Sequence, residues 1–300
     1  MRPLSRTWTL TKVRLLLAMR NRAFFFFSFV MPMIFLFGAA SFLRHGPRQF
    51  IPYALGAVLT TTVMGSFWGL SVQLVSFREQ GILRRFRIAP VGAGPMLASG
   101  IISNYFMSIP VIVFEILVVR FAFGVRTWGN LWAVFVLITI GSATFSALGL
   151  IIASVTNTMQ ETQMINNLVW MSFLFLSGAT IPIVAFPGWL QHLALFIPAQ
   201  YLATGLESST TNFVTLSELL EDVLALALGL LVAFEISRRL FRWEPEAKAP
   251  RRAKLWVIVA IIPFLVFGAW ENAHGHALAR VKANFDRLSN AIPRQLSEYR

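Results

Sequence analysis

The sequence contains no cysteine, which excludes a disulfide framework, an iron–sulfur cluster and a thiolate zinc site. Acid is scarce, with 13 Asp and Glu against 26 Lys and Arg in 300 residues. Asp222 and Asp286 are the only aspartates, so the paired carboxylates that hold magnesium in membrane prenyl-transfer chemistry have no counterpart. HExxH, GxSxG and P-loop motifs are all missing. His45 and His192 stand alone. His274 and His276 lie two apart near Glu271, short of the three or four convergent ligands that a metal needs. The reading is therefore of a chain with no catalytic residues, no metal site and no means of hydrolysing a nucleotide. No internal repeat is visible, which argues against a two-halved single-chain transporter.

What is present is apolar. Hydrophobic residues make up 56% and charged residues 13%, and the mean hydropathy is +0.67, the composition of a membrane protein. A net charge of +13 in a soluble protein would suggest nucleic acid. Here the basic residues flank apolar segments and no nucleic-acid motif appears, so anchoring to anionic membrane lipid accounts for the charge. Residues 1–22 hold six basic residues and no acid, too long a basic region for a cleavable signal. Leu4, Trp8, Thr11, Leu15 and Met19 recur at helical spacing, predicting an interfacial helix with Trp8 in the headgroup layer.

Six apolar segments of about the 20 residues needed to cross a bilayer follow: 23–43, 51–77, 95–119, 129–153, 167–184 and 220–241. Pro32 should kink the first. Gly141, Ser142, Ala143, Ser146, Ala147 and Gly149 should let the fourth approach its neighbours closely. Glu115, inside the third span, is an intramembrane acid and so a functional candidate by default; pairing with Arg120 or snorkelling to the outer edge is the favoured reading. Residues 154–166 read as a polar inner loop. Ser177–Ser209 is broken by Pro182, Pro187 and Pro198 and loosened by Gly178, which predicts short re-entrant or interfacial helices on the outer side, with Trp189 and Tyr201 at the boundary. Glu235 can pair with Arg238 or Arg239 at helical offsets.

Residues 243–254 read as a basic inner linker and 255–270 as a seventh span, although sixteen residues cover only ~24 Å of a ~30 Å hydrocarbon core. The tail, 271–300, then lies outside. Leu278, Val281, Phe285, Leu288 and Ile292 fit either a two-heptad seam or a helix resting on the membrane. Segments assigned to the inside hold 17 Lys and Arg, and the outer loops before the tail hold 4, which places the N-terminus in the cytoplasm.

Phe77–Gly94 carries Arg78, Arg84, Arg85 and Arg87 and one acid, Glu79. At 100° per residue, Ile82, Leu83 and Phe86 share one side and the arginines spread over the rest. Pro90 stops any helix. This is an amphipathic cytoplasmic helix, or a basic loop that only sets orientation. The run Arg78-Glu79-Gln80-Gly81-Ile82-Leu83-Arg84-Arg85-Phe86, with Ile88-Ala89-Pro90-Val91 after it, resembles the first inner loop of ABC-2 type permeases. Those show Arg-Glu-x-Gly-Thr-Leu-Glu-Arg-Leu and a later Thr-Pro. Ile82, Arg84 and Ala89 depart from that pattern, whereas Glu79, Gly81, Leu83, Arg85 and Pro90 keep it. Phe175–Pro182, Phe186–Leu190, Ile197-Pro198 and Tyr201 resemble the family's segment after the fifth span.

The resemblance covers about 5–242 and leaves 243–300 unexplained. It implies an all-α membrane protein: an interfacial N-terminal helix at 1–22, a six-span permease bundle at 23–242, and re-entrant outer helices after span 5. The linker, seventh span and amphipathic tail helix are added to it. It further implies a homodimer or a pair of related permeases in the bacterial inner membrane. ATP and magnesium would be bound by separate ABC ATPase subunits. The segment 78–90 would seat in such a subunit as a coupling helix, through Arg78, Glu79, Gly81, Ile82, Leu83, Arg84, Arg85, Phe86 and Pro90. Such permeases usually export drugs, glycolipids or polysaccharides. A non-transporting membrane scaffold is the alternative.

Overall fold

The computed structural model describes residues 3–20, 26, 29–30, 32–38, 50–88, 92–125, 129–211, 214–244, 253–275 and 278–287. Every regular element among them is helical. In order they are α1 (Pro3–Arg20), α2 (32–38), α3 (Phe50–Met64), α4 (Ser66–Glu79), α5 (Ile82–Ile88), α6 (Ala93–Ala122), α7 (Leu131–Val155), α8 (Met159–Leu176), α9 (Gly188–Ala194), α10 (Pro198–Thr211), α11 (Leu220–Arg239), α12 (Ala253–His274) and α13 (278–287). A 3-10 turn at Ile183–Ala185 precedes α9. Four stretches are long and apolar enough to cross a membrane: Ile51–Glu79, Ala93–Ala122, Leu131–Val155 and Leu255–His274. Most of the first predicted span and much of the predicted linker lie outside the described residues.

Helix α7 is the centre of the bundle, packed against α4 on one side and α11 on the other. Its small residues make this possible. A Cβ at Gly149 would stand 2.2 Å from the carbonyl oxygen of Phe67, and one at Gly141 would stand 2.7 Å from Leu202 Cδ1. Around α7 the core divides in two. Leu59, Val63, Phe67, Leu137, Phe145, Tyr201 and Leu202 fill one half, and Leu70, Leu74, Leu83, Met96, Leu150 and Ile236 fill the other. The outward faces are apolar as well. Phe114, Leu117 and Phe121 on α6 and Leu224, Leu228 and Leu231 on α11 are exposed, a surface suited to lipid rather than water.

Several predicted elements are corrected. Helix α1 turns Thr11 and Arg14 inward, while Trp8, Val13, Leu16, Leu17 and Met19 are exposed. The cause is Arg14, whose guanidinium donates to Gln73 Oε1 at 3.0 Å and lies 5.6 Å from the centroid of the Phe77 ring. Burial pulls its pKa down to about 10, which leaves it charged at neutral pH. Trp8 is half exposed and lies under Lys12 Nζ at 5.5 Å.

The expected loop at 154–166 shrinks to a few residues, because α8 begins at Met159. Thr158 Oγ1 accepts from the Glu161 amide at 3.1 Å and the Glu161 carboxylate accepts from the Asn157 amide at 2.8 Å, a close relative of the capping box. The helix at the predicted seventh span is longer than expected. Helix α12 runs 22 residues to His274, about 33 Å at 1.5 Å per residue. It is knitted into the bundle where Gly229 admits Phe264 and Gly268 admits Phe196.

Glu115 does not pair with Arg120. Five residues along a helix put two side chains ~140° apart. Arg120 is exposed, whereas Glu115 is fully buried and accepts from Thr62 Oγ1 at 2.6 Å. Its Oε2 meets no partner among the described residues. The tail does not stand apart as a seam. Within α13, Arg280 donates to Asp222 at 2.7 Å and Asn284 to Ser208 at 2.9 Å, so the tail helix docks on α10 and α11. Leu288 and Ile292 lie outside the described residues.

Candidate functional site at the basic end

One end of the bundle gathers Arg14, Arg78, Arg84, Arg85, Arg238, Arg239 and Arg242. Glu235 takes Arg238 at 2.8 Å and Arg239 at 2.6 Å, as its spacing predicts. The turn from α4 into α5 passes through Gly81 at φ +69°, a left-handed conformation that glycine adopts without the clash a Cβ brings. The Gly81 amide donates to the Arg78 carbonyl at 3.0 Å, ending α4 and letting α5 start in a new direction.

The predicted segment splits into an inward and an outward set. Arg78 is buried and donates to the carbonyls of Ala153 and Thr156, both at 2.8 Å. Those carbonyls end α7, where a cation also favours the helix dipole. Glu79, exposed at its other side, accepts from the Met159 amide at 2.7 Å, capping the start of α8. Leu83 is fully buried in the inner core, and Phe86 packs partly against it. Ile82 is half buried, and Arg84 and Arg85 are exposed. The apolar face of α5 is thus committed first to this chain's own core, and a basic face is left outward. Pro90 and the side chain of Arg87 lie outside the described residues.

Arg242 completes the corner. It donates to Asn157 Oδ1 at 3.0 Å and to the carbonyls of Ser154 and Thr156. Burial lowers its pKa, with Glu161 pulling the other way. Sequence reasoning counted Arg242 only among the basic charges of the inner side, and it missed the cap at Thr158. The second was legible: Thr158-Met159-Gln160-Glu161 has capping spacing. The first had no local signal, since its partners are 85 or more residues away in sequence.

The broken segment lies at the opposite end. Gly178 has φ +89°. Pro182 precedes the 3-10 turn, Pro187 precedes α9 and Pro198 opens α10, the first-turn position where a missing N–H costs nothing. Helix α10 is buried from Pro198 to Thr210. Tyr201 is buried and donates to the Leu195 carbonyl at 2.8 Å, whereas Trp189 is 69% exposed. Glu115 lies apart from both sets, on α6. Among the described residues no group of three His, Asp or Glu is placed to hold a metal.

These features define a helical, multi-pass membrane protein whose basic end carries a short helix on a braced corner. The chain belongs to the ABC-2 type transporter family, which it matches over residues 5–211. It is 29% identical over 174 residues to the linearmycin resistance permease protein LnrN of Bacillus subtilis, covering 57% of this chain and 43% of that protein. It is 24% identical over 168 residues to the probable multidrug ABC transporter permease YbhS of Escherichia coli K12, covering 56% and 42%. The chain therefore aligns with less than half the length of either relative. Residues 212–300, including α11, α12 and α13, fall outside the family match.

Proposed function

We propose that this chain is the transmembrane subunit of an ATP-driven ABC exporter in a bacterial inner membrane. Two permeases, identical or related, form the path, and separate ATPase subunits bind and hydrolyse ATP with magnesium. The N-terminus and the basic end face the cytoplasm, six spans at 23–242 make the bundle, and the helices after α8 form a re-entrant outer segment. The observation that carries the reading is the outward face of α5. Arg84 and Arg85 are free of the core while Leu83 anchors the helix and Arg78 and Glu79 tie its root to α7 and α8. A push on α5 reaches α7 and α8 without slack, because their ends share its hydrogen bonds. Arg84, Arg85 and the half-buried Ile82 and Phe86 meet the ATPase, and the inward residues transmit the movement.

The names of the relatives favour a drug-like amphiphile as cargo, in keeping with an apolar bundle. The test is co-purification from mild detergent with the ATPase encoded nearby. Wild-type protein should retain a partner carrying a P-loop. Arg84→Glu with Arg85→Glu should fold, insert and lose that partner by at least tenfold, since like charge across an interface is repulsive. Equal retention by the charge-reversed protein would remove α5 from the interface. Recovery of the wild-type chain alone would favour a scaffold.

A further inference from the structure

At the end opposite α5, a largely enclosed cavity of about 20 Å³ lies between α3, α10 and α13. That volume holds one particle the size of a water molecule. Glu207 lines it, is only 8% exposed, and its Oε1 meets no hydrogen-bond partner among the described residues. Gly56 brings α3 to this point, since a Cβ there would stand 2.8 Å from the Glu207 Cα.

The rest of the wall offers acceptors. The Thr204 hydroxyl donates to the Gln200 carbonyl at 2.9 Å, and that of Thr211 to the Glu207 carbonyl at 2.6 Å. The Thr204 proton is shared among acceptors of α10 and Asp222, and its oxygen can still accept. Ser208 Oγ accepts from Asn284 at 2.9 Å. Tyr53 lies beside the Glu207 carboxylate and can supply one neutral donor. The nearby cation, Arg280, is taken by Asp222 at 2.7 Å and Glu221 at 3.6 Å. Among the described residues no cation stands beside the Glu207 carboxylate, and an ionised carboxylate buried in that way is costly.

We propose that Glu207, with the oxygens of Tyr53, Thr204 and Ser208, binds one monovalent alkali cation beneath α13. A single carboxylate with neutral oxygens matches one positive charge, and hard cations take oxygen ligands. Val281 and Phe285 of α13 cover the site with apolar surface, so the bound ion also holds the tail helix in place through Asn284 and Ser208. This rests on no feature of the coupling segment.

The experiment is thermal unfolding of the purified full-length protein in detergent, at fixed pH and ionic strength, as choline chloride is replaced by sodium or potassium chloride. The expected result is a saturable rise in Tm of about 2–4 °C with one alkali ion or both, and their difference identifies the preferred ion. Glu207→Gln should abolish the rise. Radioactive sodium or rubidium retained by wild-type protein should approach one ion per chain, independently of whether the variant folds. Identical Tm in choline and in both alkali salts, with no retained ion, would overturn the proposal and leave a protonated carboxyl beside a water. A Glu207→Gln variant that responds like wild type would overturn the assignment to Glu207.

Discussion

At the scale of single residues the fold depends on how closely two backbones approach. The carbonyl of Phe67 occupies the place where a side chain at Gly149 would begin, at 2.2 Å. Backbone cannot rotate away as a side chain can, so Gly149→Ala must push α4 off α7. Overpacking of this kind costs about 1–3 kcal/mol, and more where main chain is the obstacle. Gly188→Ala is the control, because a Cβ there meets nothing within 4 Å. Thermal unfolding of both variants in the same detergent should show Gly149→Ala lower by several degrees or absent from the folded fraction. Gly188→Ala should match wild type.

Composition foretold the small face of α7, since a run of Gly, Ala and Ser in a span is itself a packing signal. The partner of that face, Phe67, was not foretold. The breaks at Pro182, Pro187 and Pro198 were equally legible. Illegible were residues whose meaning lies far away in the chain. Arg78 read as an outward charge because arginine is rarely buried unless paired. Its pairing groups are main-chain carbonyls at 153 and 156, which carry no sequence signature. Arg14 on α1 carried no such signal either, since Gln73 and Phe77, which receive it, lie far along the chain.

At the scale of elements, the basic corner is a joint between three helix ends. Helix α4 ends at Glu79, α7 ends at Val155 and α8 starts at Met159. Such ends leave amides and carbonyls without helical partners, and here Arg78 and Glu79 satisfy both kinds at once. Arg78→Ala removes two charge-assisted bonds. Thr156 keeps a donor in Arg242, so the main loss falls on Ala153. The expected cost is about 2–3 kcal/mol, the range for a buried bond to a charged group, read as a fall in Tm. Arg78→Lys should recover part of it, because an ammonium is a single point donor and cannot span both carbonyls as a guanidinium does. A full rescue by lysine would mean that charge near the end of α7, and not the forked geometry, is what the joint requires.

At the scale of the whole molecule, the path of α12 decides where the tail lies. Trp256, near its start, stands beside Glu235 and Arg239 at the end of α11. Asn272, near its finish, meets His192 of α9, and Arg280 of α13 meets Asp222 at the start of α11. Helix α12 therefore runs antiparallel to α11 over a length of about 33 Å, enough to cross the hydrocarbon core. The tail helix and α1 thus stand at opposite ends of the bundle. The native chain has no cysteine, so a single introduced thiol reports its side without background. Lys12→Cys and Ala283→Cys both alter exposed positions. In intact cells a membrane-impermeant maleimide should label Ala283→Cys and leave Lys12→Cys untouched, and inverted vesicles should reverse the pattern. The reversal matters more than either result alone, because the geometry bears on opposition and only the labelling decides which end is inside. Opposite labelling with Lys12 outside would keep the fold and invert the orientation. Labelling of both from one side would mean that α12 does not cross, and the docking of Arg280 on Asp222 could not then occur in the membrane.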